Sequence, residues 1–237
     1  YLGSGSGLSA TAAWTAESDQ ASAEFGYSVA TAGDVNGDGY SDVIVGAWLY
    51  NNGEDDEGGA FAYLGSASGL AADPAWTAES NQTGAHLGYS VATAGDVNGD
   101  GYSDVIVGAP AYSNGQLFEG RAHVYLGSAA GLDTTAAWTV ESNEPAASIG
   151  YTVATAGDVN GDGYSDLIVG APGYSFDEGR AFAYHGSAAG LDTTAAWTAE
   201  SDQNGAWFGK SVATAGDVNG DGYSDVIVGA LYYDNGQ

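Results

Sequence analysis

Apolar residues in this chain come in short bursts. Runs such as Val43-Ile44-Val45 and Ala60-Phe61-Ala62-Tyr63 are rich in β-branched and aromatic residues, and Gly, Asn, Asp or Ser closes each one. Such runs read as strands, with the unbroken ones suited to burial on both faces. No segment sustains an apolar period of 3.6 residues, so helix is expected to be minimal.

The pattern is also repeated. The stretch 29–47 recurs unchanged at 91–109 and 212–230, and at 153–171 with the single change to Leu167. The leading Asp of its central loop falls at 34, 96, 158 and 217, with spacings of 62, 62 and 59. A second element, Ala60-Phe61-Ala62-Tyr63-Leu64-Gly65-Ser66, has counterparts near Tyr125 and Tyr184. A third carries Trp at 14, 76, 138 and 197. Each unit therefore predicts four strands: 27–32, 43–45, 60–64, and a fourth like 14–16.

Four strands per unit of this length suit a β-propeller blade, and a stacked solenoid fits less well because its repeats are shorter. The expected fold is all-β, with four-stranded antiparallel blades in a single domain over 1–237. The chain begins inside a third strand and ends just after a second strand. Strands from residues 1–18 are therefore expected to complete the last blade. That arrangement gives either a closed four-blade ring or half of a larger ring or array, with homo-oligomers as one route to the larger ring. The periodic Trp residues are expected to be inter-blade core.

Charge narrows the partners. There are 31 acidic residues against 3 basic ones, Arg121, Arg180 and Lys210, for a formal net charge of −28. Nucleic acid needs a basic footprint, so it is excluded, and an anionic membrane surface is disfavoured. No apolar run is long enough to span a bilayer. The absence of Cys excludes disulfides and thiol chemistry.

The placement of the acids points to a cation. The loop Asp34-Val35-Asn36-Gly37-Asp38-Gly39-Tyr40-Ser41-Asp42 offers side-chain oxygens at positions 1, 3, 5 and 9 and a backbone carbonyl at 7. Ca²⁺ takes six to eight oxygens, and a Gly at position 6 allows the turn that aims the position-7 carbonyl. Asn-Gly-Asp-Gly is also a good hairpin turn. Four copies that all keep the full donor set decide for calcium, about one ion per repeat and four per chain. The expected ligands are Asp34, Asn36, Asp38, Tyr40 (carbonyl) and Asp42. They are followed by Asp96, Asn98, Asp100, Tyr102 and Asp104; by Asp158, Asn160, Asp162, Tyr164 and Asp166; and by Asp217, Asn219, Asp221, Tyr223 and Asp225. The loop departs from an EF-hand at position 12, where Val45 replaces the bidentate Glu.

The whole repeat resembles the FG-GAP repeats of integrin α-subunit propellers. Phe25-Gly26 and Phe208-Gly209 match the first motif, which becomes Leu87-Gly88 and Ile149-Gly150 in the other copies. Gly108-Ala109-Pro110 and Gly170-Ala171-Pro172 match the second, which becomes Gly46-Ala47-Trp48 and Gly229-Ala230-Leu231. The resemblance implies a β-propeller with Ca²⁺ between each blade's first two strands, usually in a seven-bladed ring. It also implies an extracellular or cell-surface adhesion role.

Two loop sets differ between copies. One follows the second strand (48–58, 110–120, 172–179, 231–237) and the other precedes the first (19–25, 81–87, 143–149, 202–208). Both are expected at the blade edge opposite the calcium loops. There they would present Trp48, Tyr50, Phe118, Phe176, Trp207 and Tyr233 to a protein or glycan ligand, while Tyr112 and Tyr174 pack at blade ends. The run Glu54-Asp55-Asp56-Glu57 reads as solvated charge. No nucleophile elbow or His-based metal spacing is present, so catalysis is not expected. A calcium-dependent lectin and a part of a polysaccharide-degrading enzyme are the alternatives to an adhesion module.

Overall fold

A computed structural model describes residues 1–236; Gln237, the end of the last variable loop in the sequence, lies outside them. Three complete blades follow one another. Blade I is β3 (Phe25–Gly33), β4 (Asp42–Ala47), β5 (Gly59–Tyr63) and β6 (Trp76–Glu79). Blade II is β7 (Ser90–Gly95), β8 (Asp104–Ala109), β9 (Arg121–Tyr125) and β10 (Trp138–Glu141). Blade III is β11 (Thr152–Gly157), β12 (Asp166–Ala171), β13 (Arg180–Tyr184) and β14 (Trp197–Glu200). Among the described residues the fourth unit has only β15 (Phe208–Gly216) and β16 (Asp225–Ala230).

Within a blade every pair is antiparallel and consecutive, with Val29 opposite Val45, Val45 opposite Phe61, and Phe61 opposite Thr77. The second strands are buried on both faces, as their unbroken apolar runs predict: every residue of β8 and of β12 is buried. The only helical turn among the described residues is Tyr174–Asp177, where Ser175 and Phe176 have positive φ.

The core lies between blades. Ile44, Ala60, Ala62 and Trp76 of blade I pack on Leu87, Val91, Val107 and Tyr125 of blade II. Trp76 and Trp138 each insert into the next blade, edge-on to Tyr125 and Tyr184, and their indole N–H groups donate to the carbonyls of Asp133 and Asp192. Trp14 makes the same contact with Tyr63 and Ala71. Trp197, followed by a unit that has no third strand among the described residues, is 43% exposed. The inter-blade role expected of these residues holds wherever a neighbouring blade exists.

Glycine decides how closely the blades approach. A Cβ on Gly46 would lie 1.9 Å from the Gly88 carbonyl oxygen, and one on Gly108 would lie 1.9 Å from that of Gly150. The second-strand glycine of one repeat thus meets the glycine that follows Phe, Leu or Ile in the next. A side chain at either position would push two sheets apart.

The ends differ from expectation. β1 (Gly3–Ser4) pairs with β2 (Gly7–Leu8), not with β16, and the sheets do not close into a ring. Residues 14–16, expected as a fourth strand, form no ladder. Their copies at Trp76 and Trp138 pair with third strands β5 and β9, and no such strand lies beside Trp14 among the described residues. The outer edge of β16 is likewise unpaired, and Ile227 on that strand is 62% exposed.

Candidate functional site

The four Asp-rich loops join the first and second strands of each unit. In the first, the Asp34 carboxylate accepts backbone N–H groups from Gly37 (2.7 Å), Asp38 (3.1 Å) and Gly39 (2.8 Å). Asn36 Oδ1 accepts the Asp38 N–H, Asp38 Oδ1 accepts the Tyr40 N–H, and Asn36 Nδ2 donates to Asp38 Oδ2. Gly37 and Gly39 supply the positive φ values, +72° and +88°, that curl the chain. The same bonds recur around Asp96, Asp158 and Asp217.

Position 9 is different in kind. Asp42, Asp104 and Asp166 are fully buried, and both oxygens of each accept backbone N–H groups. For Asp42 these come from Val35 within the loop (2.9 Å) and Gly65 beyond the third strand (2.7 Å). The residue therefore ties the loop to the end of β5. Burial pushes the Asp104 carboxyl up to about 6. The N–H groups of Gly127 and Val97 pull it down, and the charges of Asp100 and Asp96 add to the rise. Asp225, in the unit without a third strand, is only half-buried and accepts the Val218 N–H alone.

Neighbouring loops are joined in series. Ser103 donates its N–H to the Asp34 carbonyl (2.9 Å) and accepts the Asp34 N–H on its hydroxyl (3.2 Å). Ser165 and Ser224 do the same for Asp96 and Asp158, although the Asp158 contact is through the Ser224 N–H alone. The Tyr102 ring covers Gly37, where a Cβ would meet it at 2.7 Å.

Each loop gathers hard oxygen donors: three carboxylates, a carboxamide and backbone carbonyls. This is the chemistry Ca²⁺ selects. Two observations fit an ion of that kind. Burial raises the Asp42 carboxyl above its ordinary value, the N–H groups of Gly65 and Val35 pull it back, and the charges of Asp38 and Asp34 add to the rise. At the open loop, N–H groups led by that of Gly222 hold Asp217 below its ordinary value, which favours its ionised form. Among the described residues no three acidic or histidine side chains converge closely enough to hold an ion as they stand. Asp38 and its copies are exposed and turned toward loop N–H groups.

The opposite edge carries the variable loops. Trp48 is half-buried, edge-on to His86 and close to Tyr27 and Tyr89. Tyr50 packs edge-on against Phe61. Tyr112 and Tyr174, as expected for blade ends, lie beneath Arg121 and Arg180 at 3.8 and 4.0 Å. Phe118 (53%), Phe176 (87%) and Tyr233 (54%) are exposed. Trp207 is half-buried against Tyr232.

Two features escaped the sequence reading. Glu57 is fully buried, in contrast to the solvated charge expected of its acidic run. Its carboxylate accepts N–H groups from Asn52 (2.6 Å), Glu54 and Asn81 and so shapes both variable loops of blade I. Glu119 is also buried and accepts the Asn114 and Gln116 N–H groups of one variable loop of blade II, while its Oε2 has no partner among the described residues. The signal was the Glu-Gly pair recurring at 57, 119 and 178. The second feature is a chain of phenols. Tyr27 donates to Tyr89 (3.0 Å) and Tyr89 donates to Tyr151 (2.7 Å), whose hydroxyl also accepts from Lys210 Nζ. Burial and these hydrogen bonds hold Tyr89 far above the ordinary phenol range.

Comparison with known proteins agrees with this architecture. The FG-GAP repeat family profile matches residues 25–63, 87–125, 149–185 and 208–237. The chain is 31% identical over 220 residues to integrin alpha-5 of Xenopus laevis, covering 89% of this chain and 20% of that protein. It is 34% identical over 224 residues to integrin alpha-PS2 of Drosophila melanogaster, covering 88% of this chain and 15% of that protein. It is 35% identical over 164 residues to integrin alpha-IIb of Mus musculus, covering 66% and 16%. The chain thus spans a fifth or less of the length of these relatives.

Proposed function

Because the chain belongs to the FG-GAP repeat family, we propose that it is an extracellular, calcium-loaded adhesion module that presents its variable loops to a protein ligand. The observation that carries this reading is the fourfold loop with an unvarying donor set. The carboxylates at positions 1, 5 and 9 repel one another, and a divalent ion removes that cost. Asp34, Asn36, Asp38, the Tyr40 carbonyl and Asp42 would hold the ion in the first loop, with the matched residues in the other three. When bound, the ion supplies charge neutralisation and rigidity.

The protein's own residues spread that rigidity. Through Asp42, Asp104 and Asp166 the first three loops are bonded to the end of their third strands, and through Ser103, Ser165 and Ser224 each of them is bonded to the next unit. Ordering one loop therefore orders a blade junction. Phe118, Phe176 and Tyr233 then stand on an edge held by buried Glu57 and Glu119, and they are the residues most open to a ligand. The roles implied for the site are binding and support, not catalysis.

Chelation is the test. At calcium 100 times Kd, one ion adds about 2.7 kcal/mol. In a chain of this size 1 kcal/mol shifts Tm by about 2–4 °C. Excess EDTA is therefore expected to lower Tm by roughly 5–10 °C for each site that had been filled, and calcium to restore it. A melting curve identical with and without chelator would end the proposal.

A further inference from the structure

Lys210 stands where the first three repeats have Tyr27, Tyr89 and Tyr151. It is the only lysine in a chain of net charge −28. The two arginines are committed: Arg121 is paired with Glu141 and Arg180 with Glu200. Lys210 forms no ion pair with any carboxylate among the described residues. Its ammonium lies 3.8 Å from the centre of the Tyr151 ring and 4.6 Å from that of Trp207. It donates one hydrogen bond, to the Tyr151 hydroxyl.

Donors outnumber acceptors at this point. The Tyr151 oxygen accepts from both Tyr89 and Lys210, so its own O–H points elsewhere and has no protein acceptor among the described residues. Lys210 keeps two further N–H donors. These groups open onto a cleft of about 180 Å³ lined by Ser148, Tyr151, Pro172, Asp177, Trp207 and Lys210. The cleft is smaller than the roughly 300–1,000 Å³ of a small-molecule site, and its volume suits a single side chain. Its walls set the Tyr151 and Trp207 rings and Pro172 beside Ser148 and Asp177 around one cation, and a charged hydrogen bond gains strength where rings exclude water. Asp177 and the large negative charge of the whole protein repel an acidic cluster, so the group that fits is one isolated carboxylate.

We propose that Lys210, Tyr151 and Trp207 form a receptor for a single glutamate or aspartate side chain of a protein partner. The carboxylate accepts from the Lys210 ammonium and the Tyr151 hydroxyl, while the Trp207 ring flanks the side chain. The proposal deepens the reading of this edge as a recognition surface, on which it rests. It does not depend on the metal loops, which lie at the other end of the first strands.

The test uses the full chain, ¹⁵N-labelled, with and without calcium, and follows the Trp207 indole N–H by NMR. The probes are acetyl-Gly-Glu-Gly-amide, the matching Gln peptide, and glucuronate. The Glu peptide is expected to give a saturable shift with Kd of roughly 1–10 mM, and the Gln peptide to bind at least about tenfold more weakly. Lys210→Tyr, which restores the residue of the other repeats, and Lys210→Met are both expected to abolish the shift. Equal binding of Glu and Gln, no shift in the unmodified chain, or a shift that survives in both variants would overturn the proposal. So would glucuronate binding without the Glu peptide, which would assign the cleft to a glycan. Failure to take up calcium would sink the metal reading and leave this measurement readable.

Discussion

His123 occupies a third-strand position that Phe61 and Phe182 fill in the neighbouring blades. Its ring is buried and its Nε2 has no hydrogen-bond partner. Burial, helped by the nearby Arg121 charge, pushes its pKa down to about 4. The folded protein therefore keeps it neutral, while in the unfolded chain it titrates near 6.5. As pH falls below about 6.5 the unfolded state takes up a proton that the folded state refuses. Stability is thus lost progressively between about pH 6.5 and pH 4 and is fully present above that window. At pH 5 the loss is about 2 kcal/mol, at 1.36 kcal/mol per unit. His123→Phe is predicted to raise Tm over the unmodified chain far more at pH 5 than at pH 7. An equal gain at both pH values would contradict the assignment. At this scale the sequence was uneven as a guide. The metal-type donors were readable because identical spacing recurred four times. Glu57 was not, because an acidic run looks solvated until the fold turns the N–H groups of Asn52 and Asn81 inward to meet it.

Strands and turns were the most legible layer. Unbroken Val-Ile-Val runs became strands buried on both faces, and the Gly-Asp turns became the loops between them. Boundaries shifted by a residue or two. Asp42, read only as a ligand, opens β4 because its side chain also secures the strand end. What could not be read was which glycines touch. Gly46 and Gly88 are 42 residues apart and look like turn or flexibility signals, yet they mark the closest approach of two blades. Gly46→Ala is therefore predicted to cost more than about 3 kcal/mol, since backbone on both sides leaves no room to relax. Gly229, its copy in the last unit, faces only the Ser211 side chain at 2.4 Å, and that side chain has room to rotate away. Gly229→Ala is predicted to cost markedly less, as read from denaturant midpoints of the two variants. Equal losses would mean that the inter-blade contact does not set the penalty.

For the molecule as a whole, the repeat dictates a division of labour between two edges. One edge carries four near-identical acidic loops, the first three bonded both to their own third strands and to the next unit. The other carries the loops that differ, the phenol chain ending in Lys210, and the exposed Phe118 and Phe176. Of the two arrangements expected, a closed four-blade ring and half of a larger ring or array, the open sheets fit the second, a partial propeller. The unpaired edge of β16 and the β1–β2 pairing leave the arc open in this structure. A repeat count alone does not fix how blade ends pair, because that depends on which third strand is at hand. Clusters of carboxylates with net charge −28 around them are held to be tolerable because cations enter them. The most direct check is native mass spectrometry of chelator-stripped protein titrated with calcium. The predicted result is stepwise uptake to four calcium ions per chain, falling to three when Asp100→Ala disables one loop. A mass that stays at the metal-free value in millimolar calcium would contradict it.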